Sequence, residues 1–289
     1  MAEITAGLVK QLRDKTGAGM MDCKKALTET DGDLEKAVLW LREKGISKAQ
    51  GKADRVAVEG LTKVVTDGNR AVMIEVNSET DFVARNDQFL TLIDQITGAI
   101  LASNDVKTLA DVEALKVGDQ AISDLIINAT ATIGERISLR RFEVVEKQNE
   151  EIFGAYIHMG GKISALAVLK NANEEVAKDI AMQVASMSPQ FISRDYMDEA
   201  FIANEKTVQA EIIKNDASLA GKPEKVLAGI VEGRLSKSLQ DISLMDQVYF
   251  KNQDLTVSKF LAQSSSVVTY FVRYAVGEGM EKPDCECAC

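Results

Sequence analysis

The chain has 289 residues, 46% of them hydrophobic, with 44 acidic residues against 34 basic ones and a net charge of −10. That length leaves room for two or three domains, each with its own core. The negative balance argues against a nucleic-acid binder, which needs clustered Lys and Arg to neutralise phosphate. The only basic pairs, Lys24-Lys25 and Arg140-Arg141, read as solvated faces.

No apolar run approaches the ~18 residues of a membrane span. The start, Met-Ala-Glu-Ile-Thr-Ala, lacks the basic opening and apolar core of a signal peptide. A soluble cytoplasmic protein is expected. Cys23 stands alone and Cys285, Cys287 and Cys289 crowd the end, so there is no disulfide framework. The phosphate loop, the dinucleotide glycine fingerprint, H-E-x-x-H and paired C-x-x-C are all missing from the sequence. A nucleophile built on Cys23 and His158 would have to join residues of different domains. No enzyme activity and no cofactor are expected. The three tail thiols fall short of the four well-spaced ligands of structural zinc, and a disordered tail is expected from 283 to 289.

In chain order, residues 1–45 read as three short helices. Ile4, Leu8, Val9 and Leu12 stripe the first, which ends at Thr16-Gly-Ala-Gly19. Asp22 is expected to cap the second, which carries Cys23, Ala26 and Leu27. Asp33 is expected to cap the third, with Leu34, Ala37, Val38 and Leu41 inward. Met20 and Met21 fall in the first loop, where two adjacent residues on a tight turn cannot both point inward. Either one fills the core, or the pair offers an adaptable apolar contact to a partner. Residues 46–55 are polar and read as a linker.

A hairpin follows, Leu61–Thr66 and Arg70–Val76 about Asp67-Gly68-Asn69, then helices near 86–103 and 118–133 and a strand at 137–145. A second hairpin runs through Phe153–His158 and Lys162–Leu169 into a helix at 174–187, stopped by Pro189. His158 closes a strand and reads equally as a hairpin residue or a surface contact. The charged region 194–240, with Phe201, Val208 and Ile212 as its apolar positions, reads as a projecting helical hairpin. It could pair with itself, dock on a partner or stand in solvent. Val267–Val276 alternates as a strand. The order hairpin, helix, hairpin, helix gives an α+β fold with mostly antiparallel sheets.

The two hairpin–helix units overlay when Gly68-Asn69 is set on Gly160-Gly161, which matches Val76 with Val168. The first copy then carries an extra segment, Thr80–Arg85, before its helix. A connector longer than its twin is more often functional. Phe82 within it is either a staple onto the next helix, with Asp81 or Asn86 as cap, or a wedge offered to a partner.

Thr16-Gly-Ala-Gly-Met-Met-Asp-Cys-Lys-Lys-Ala-Leu27 and Glu75-Val-Asn-Ser-Glu-Thr-Asp-Phe-Val-Ala84 closely resemble the bacterial translation elongation factor Ts family. The likeness continues through Tyr156–Ile163, Ser188-Pro189, the Lys222-Pro223 region and Phe271–Gly279, to about Lys282. Relatives often place an Arg before the strand where this chain has Met159-Gly160-Gly161-Lys162. The resemblance implies a guanine-nucleotide exchange factor that binds elongation factor Tu and promotes GDP release, with no direct contact to nucleic acid or membrane. It also implies a three-helix, ubiquitin-associated (UBA-like) docking module over 1–45. Two related sheet-plus-helix subdomains would follow over 56–147 and 148–282, the second carrying the helical hairpin. Thr80, Asp81, Phe82 and Val83 would then disturb the partner's Mg²⁺ site, with further contacts at Arg13, Met20, Met21 and His158.

Overall fold

The computed structural model describes residues 4–219 and 221–281, so the cysteine tail and its expected disorder lie outside the described residues. The chain divides into two compact units. The first holds the residues up to Val145, the hairpin tip Met159–Ile163 and the segment from Tyr274 on; the second holds Glu146–His158 and Ser164–Arg273.

The first unit opens with α1 (Ala6–Thr16), α2 (Met20–Glu29) and α3 (Leu34–Gln50). Thr5 caps α1 by accepting the Leu8 N–H, and Gly17 ends it in the left-handed region. Asp33 caps α3 by accepting the N–H groups of Glu35 and Lys36, both at 3.0 Å. Leu12, Cys23, Ala26, Leu27 and Ala37 form a small core inside the three helices. Two details differ from the sequence reading. Met20 and Met21 are the first residues of α2 rather than loop residues, and Gly19, not Asp22, occupies the capping position. Asp22 lies in the first turn and pairs with Lys48 on α3 at 2.9 Å. α3 continues past residue 45 to Gln50 and packs on a later helix of the same unit, α6 (Ile122–Ile133), where Arg42 meets Asp124 at 2.6 Å.

β1 (Glu59–Asp67) and β2 (Arg70–Ser78) pair antiparallel through the turn at Asp67↔Arg70. Next come α4 (Asp87–Ala102), α5 (Leu109–Ala114), the short strands β3 (Lys116–Val117) and β4 (Gln120–Ala121), α6 (Ile122–Ile133) and β5 (Ser138–Glu146). The sheet order β1-β2-β5 puts β2 at the centre. Val72, Ile74 and Val76 pack with Phe89, Leu92, Ile93, Ile96 and Ile100 of α4. Complete burial of each such side chain contributes about 1.5–3 kcal/mol, so the α4–β2 face is the main stabilising layer of this unit.

The second unit holds β6 (Glu151–His158), β7 (Ile163–Lys170) from Ser164 on, α7 (Glu174–Met187), α8 (Glu199–Lys214), α9 (Glu224–Ile242), β8 (Val248–Tyr249), β9 (Asn252–Thr256), α10 (Val257–Ala262) and β10 (Val267–Ala275) as far as Arg273. Its sheet order, β6-β7-β10, again centres the second strand of the hairpin. Gly154 lets β6 approach α7 closely: a Cβ there would sit 1.9 Å from the Ala177 carbonyl oxygen. α8 and α9 pack together as the expected helical hairpin. Its base is held by Met197, Leu235 and Leu239 with Phe191 and Phe201, whose ring centroids are 5.0 Å apart. Towards the tip Ile213, rather than Ile212, is the buried residue; Val208 and Ile212 are exposed. An α-helix turns 100° per residue, so neighbours face different ways.

Candidate partner-binding loop

Residues 79–86 join β2 to α4, whereas 171–173 suffice between β7 and α7. The longer connector is fixed at both ends. At its start, the Thr80 N–H and hydroxyl both donate to the Glu135 carboxylate, at 2.9 and 2.6 Å. The Thr80 carbonyl accepts from the Ser78 hydroxyl at 2.9 Å. Glu79 accepts the Arg136 N–H at 2.6 Å and faces the Arg55 guanidinium at 3.4 Å. At its far end, Val83 and Ala84 are buried in the β2–α4 core. Arg85 and Asn86 donate their N–H groups to the Phe82 and Val83 carbonyls, closing a single 3-10 turn. Asn86 then caps α4 by accepting the Gln88 N–H at 2.8 Å.

Between these anchors stand Asp81, which is exposed, and Phe82, which is 82% exposed. The staple alternative is thereby settled: the ring does not fold onto α4, and Asn86 alone supplies the cap. Among the described residues Phe82 is the most exposed large apolar side chain.

The other residues singled out in the sequence fall in two places. Arg13 is exposed on the last turn of α1, and Met20 and Met21 are 52% and 76% exposed on the first turn of α2. Neither Met fills the core. His158 belongs to the second unit, at the end of β6, half-buried, and shares a hydrogen bond with the Tyr156 hydroxyl at 3.0 Å. Cys23 is fully enclosed. Burial pushes its thiol pKa up, against a hydrogen bond with Thr16 that lowers it, which disfavours the reactive thiolate.

Just before the loop in the chain, β2 carries a buried charge. Glu75 has no exposed side-chain surface and accepts from Arg140 (2.9 Å), Arg141 (2.6 Å), Asn77 (3.1 Å) and the Gly277 N–H (2.8 Å). Burial alone raises its pKa, but the Gly277, Arg140 and Asn77 hydrogen bonds and the Arg141 charge outweigh it, leaving the pKa below the ordinary value. Arg140 and Arg141 are therefore partners of a buried carboxylate, not a solvated face. Arg141 also lies over the Tyr274 ring, 4.0 Å from its centroid.

Glu75 and Glu79 fall inside the Glu75–Ala84 motif without a role assigned to them, and Glu135 and Arg136 carry no signature in the sequence. Glu135 lies 55 positions from Thr80, and nothing local distinguishes it from any other acid after a helix. The one usable hint is Gly134, whose φ of 90° ends α6 and turns the chain towards β5.

The fold and this loop hold one large apolar ring in solvent, between a hydrogen-bonded Thr80 and the core residues Val83 and Ala84. Residues 79–278 match the family model described as Elongation factor TS. The chain is also 53% identical over 280 residues to the elongation factor Ts of Acholeplasma laidlawii (strain PG-8A), covering 96% of this chain and 94% of that one. The chain belongs to the elongation factor Ts family. It is a nucleotide exchange factor for elongation factor Tu in translation elongation, and not an enzyme.

Proposed function

We propose that Phe82 is the part of this exchange factor that does the mechanical work, with Asp81 beside it. The observation that carries this reading is the ring's exposure between two fixed anchors. A ring held ready in water loses little conformational freedom on binding, and its apolar area is the gain when it enters a crevice between partner helices. Such an entry displaces the groups that hold Mg²⁺ and the phosphate loop in the partner. Without the divalent charge the diphosphate is less well neutralised, and GDP leaves faster. No covalent bond changes. Linkage makes the effect reciprocal: GDP weakens binding of this protein by the factor by which this protein weakens GDP binding.

The roles within the motif divide by burial. Asp81 and Phe82 reach the partner, while Thr80 and Val83 hold them in place. The three N-terminal helices form the docking module, with Arg13, Met20 and Met21 as its contact surface; two flexible thioethers suit an apolar patch on another protein. His158 is a further contact from the second hairpin. The subdomain scheme of 1–45, 46–55, 56–147 and 148–282 is part of the same reading. Release of a fluorescent GDP analogue from elongation factor Tu tests it. Phe82→Ala is expected to slow release while the complex still forms, and Met20→Ser with Met21→Ser to weaken association with little change in the maximal rate. Unchanged release with Phe82→Ala at saturating exchange factor would end the reading.

A further inference from the structure

Resting on that reading of Phe82, we infer that Glu135 is a positioning residue for nucleotide exchange, holding the ring in its active attitude by clamping Thr80. Glu135 follows Gly134, the left-handed residue that ends α6, where the Gly134 N–H donates to the Thr130 carbonyl at 3.1 Å. It stands just before β5, the sheet neighbour of β2. Its backbone is thus set by a helix end on one side and by the sheet on the other. From there both carboxylate oxygens are used on one residue, Oε2 for the Thr80 N–H and Oε1 for the Thr80 hydroxyl. Charge-assisted, two-point contacts of this kind fix orientation as well as position.

The clamp is doubled in the opposite direction. Glu79 accepts the N–H of Arg136, and the Arg136 guanidinium donates to the Arg55 carbonyl. Residues 79–80 and 135–136 are therefore stitched by reciprocal bonds two positions before Phe82. On the other side Val83 and Ala84 are sunk in the core immediately after it. The chain between Thr80 and Val83 has one acidic and one aromatic side chain and little slack. Thr80 has its N–H, hydroxyl and carbonyl all engaged within the chain. Its place in the motif is thereby explained without a contact to the partner. A small displacement of such a mount misplaces the ring, and misplacement by an ångström is enough to lose much of a geometric effect.

The test is a cycle of full-length variants: Glu135→Ala, Phe82→Ala and the double variant. Each is assayed for GDP release from elongation factor Tu over a range of exchange-factor concentrations, with thermal unfolding measured alongside. Glu135→Ala is expected to lower the maximal release rate about tenfold, with little change in the half-saturating concentration. Its loss should vanish in the Phe82→Ala background, because there is then no ring to position. Thr80→Val should reproduce the loss by removing the hydroxyl at similar volume. Thr80→Ser, which keeps the hydroxyl, should retain the rate; this pair decides the matter if Glu135→Ala does not fold. A wild-type rate for Glu135→Ala or Thr80→Val, alongside a slow Phe82→Ala, overturns the clamp and leaves the wedge standing. Losses that multiply in the double variant also overturn it, since Glu135 would then act elsewhere. A Phe82→Ala variant that exchanges normally removes the wedge itself, and the clamp with it.

Discussion

The two sheets of this protein are built to one plan and differ in what they were given to carry. Each is a hairpin whose second strand is central, flanked by a third strand that arrives later in the chain, β1-β2-β5 in one and β6-β7-β10 in the other. Each hairpin runs into a helix capped by an asparagine, Asn86 for α4 and Asn173 for α7. In the second unit the passage is short: residues 171–173, with Asn171 in the left-handed region at φ 53°. In the first, residues 79–86 carry the exposed Phe82. The overlay that matches Val76 with Val168 also sets the buried Glu75 against the buried Ala167. The plain copy shows what the fold needs, and the longer connector of the other copy is where Phe82 is proposed to act.

The comparison can be broken most severely at Glu75. Glu75→Ala leaves two guanidinium groups without their buried partner and should destabilise the protein by about 3–5 kcal/mol, read by urea unfolding at neutral pH. The same contact has a pH signature. The folded-state pKa of Glu75 is depressed, so its contribution is full above the ordinary carboxylate pKa and is lost as pH falls through the lower folded value. The gap between wild type and variant should therefore narrow on acidification. A gap that stays constant would mean the charge of Glu75 is not what stabilises the strand.

Phe82→Ala should separate stability from function. Loss of a buried aromatic anchor in a complex costs roughly 2–4 kcal/mol, or about 30- to 1,000-fold in GDP release if expressed fully in that step. The free protein should melt as wild type does, because the ring contributes almost nothing to its own core. An early-melting variant with normal exchange would reverse the assignment.

Where the two copies share a device, they should respond alike. Asn86→Ala and Asn173→Ala each remove one cap and should each cost about 1 kcal/mol in thermal or urea unfolding. A markedly larger loss at Asn86 would show that the cap also holds the loop. The smallest effect is expected at Arg42→Ala, on the α3–α6 contact. Its pair with Asp124 is largely solvent-exposed and should be worth about 0.2–1 kcal/mol, fading at high salt.

Periodicity and turn chemistry by themselves determine much of this protein. Val72, Ile74 and Val76 on β2, Phe89, Leu92 and Ile96 on α4, and the caps Asp33 and Asn86 follow from contacts a few residues apart, which local pattern encodes. The extra length of the segment holding Thr80–Val83, against the shorter passage in the second copy, is also read from the sequence. Tertiary structure alone decided the rest. Whether Phe82 lies on α4 or in water depends on Val83 and Ala84 taking the core positions. That Arg140-Arg141 serve Glu75, and that Glu135 grips Thr80, depends on β5 lying beside β2. These pairs are separated by 55 to 66 positions, and a hydrogen bond at that range leaves no periodic trace in either segment. Only closure of the sheet brings the partners together, and desolvation then makes an unpaired carboxylate too costly to leave.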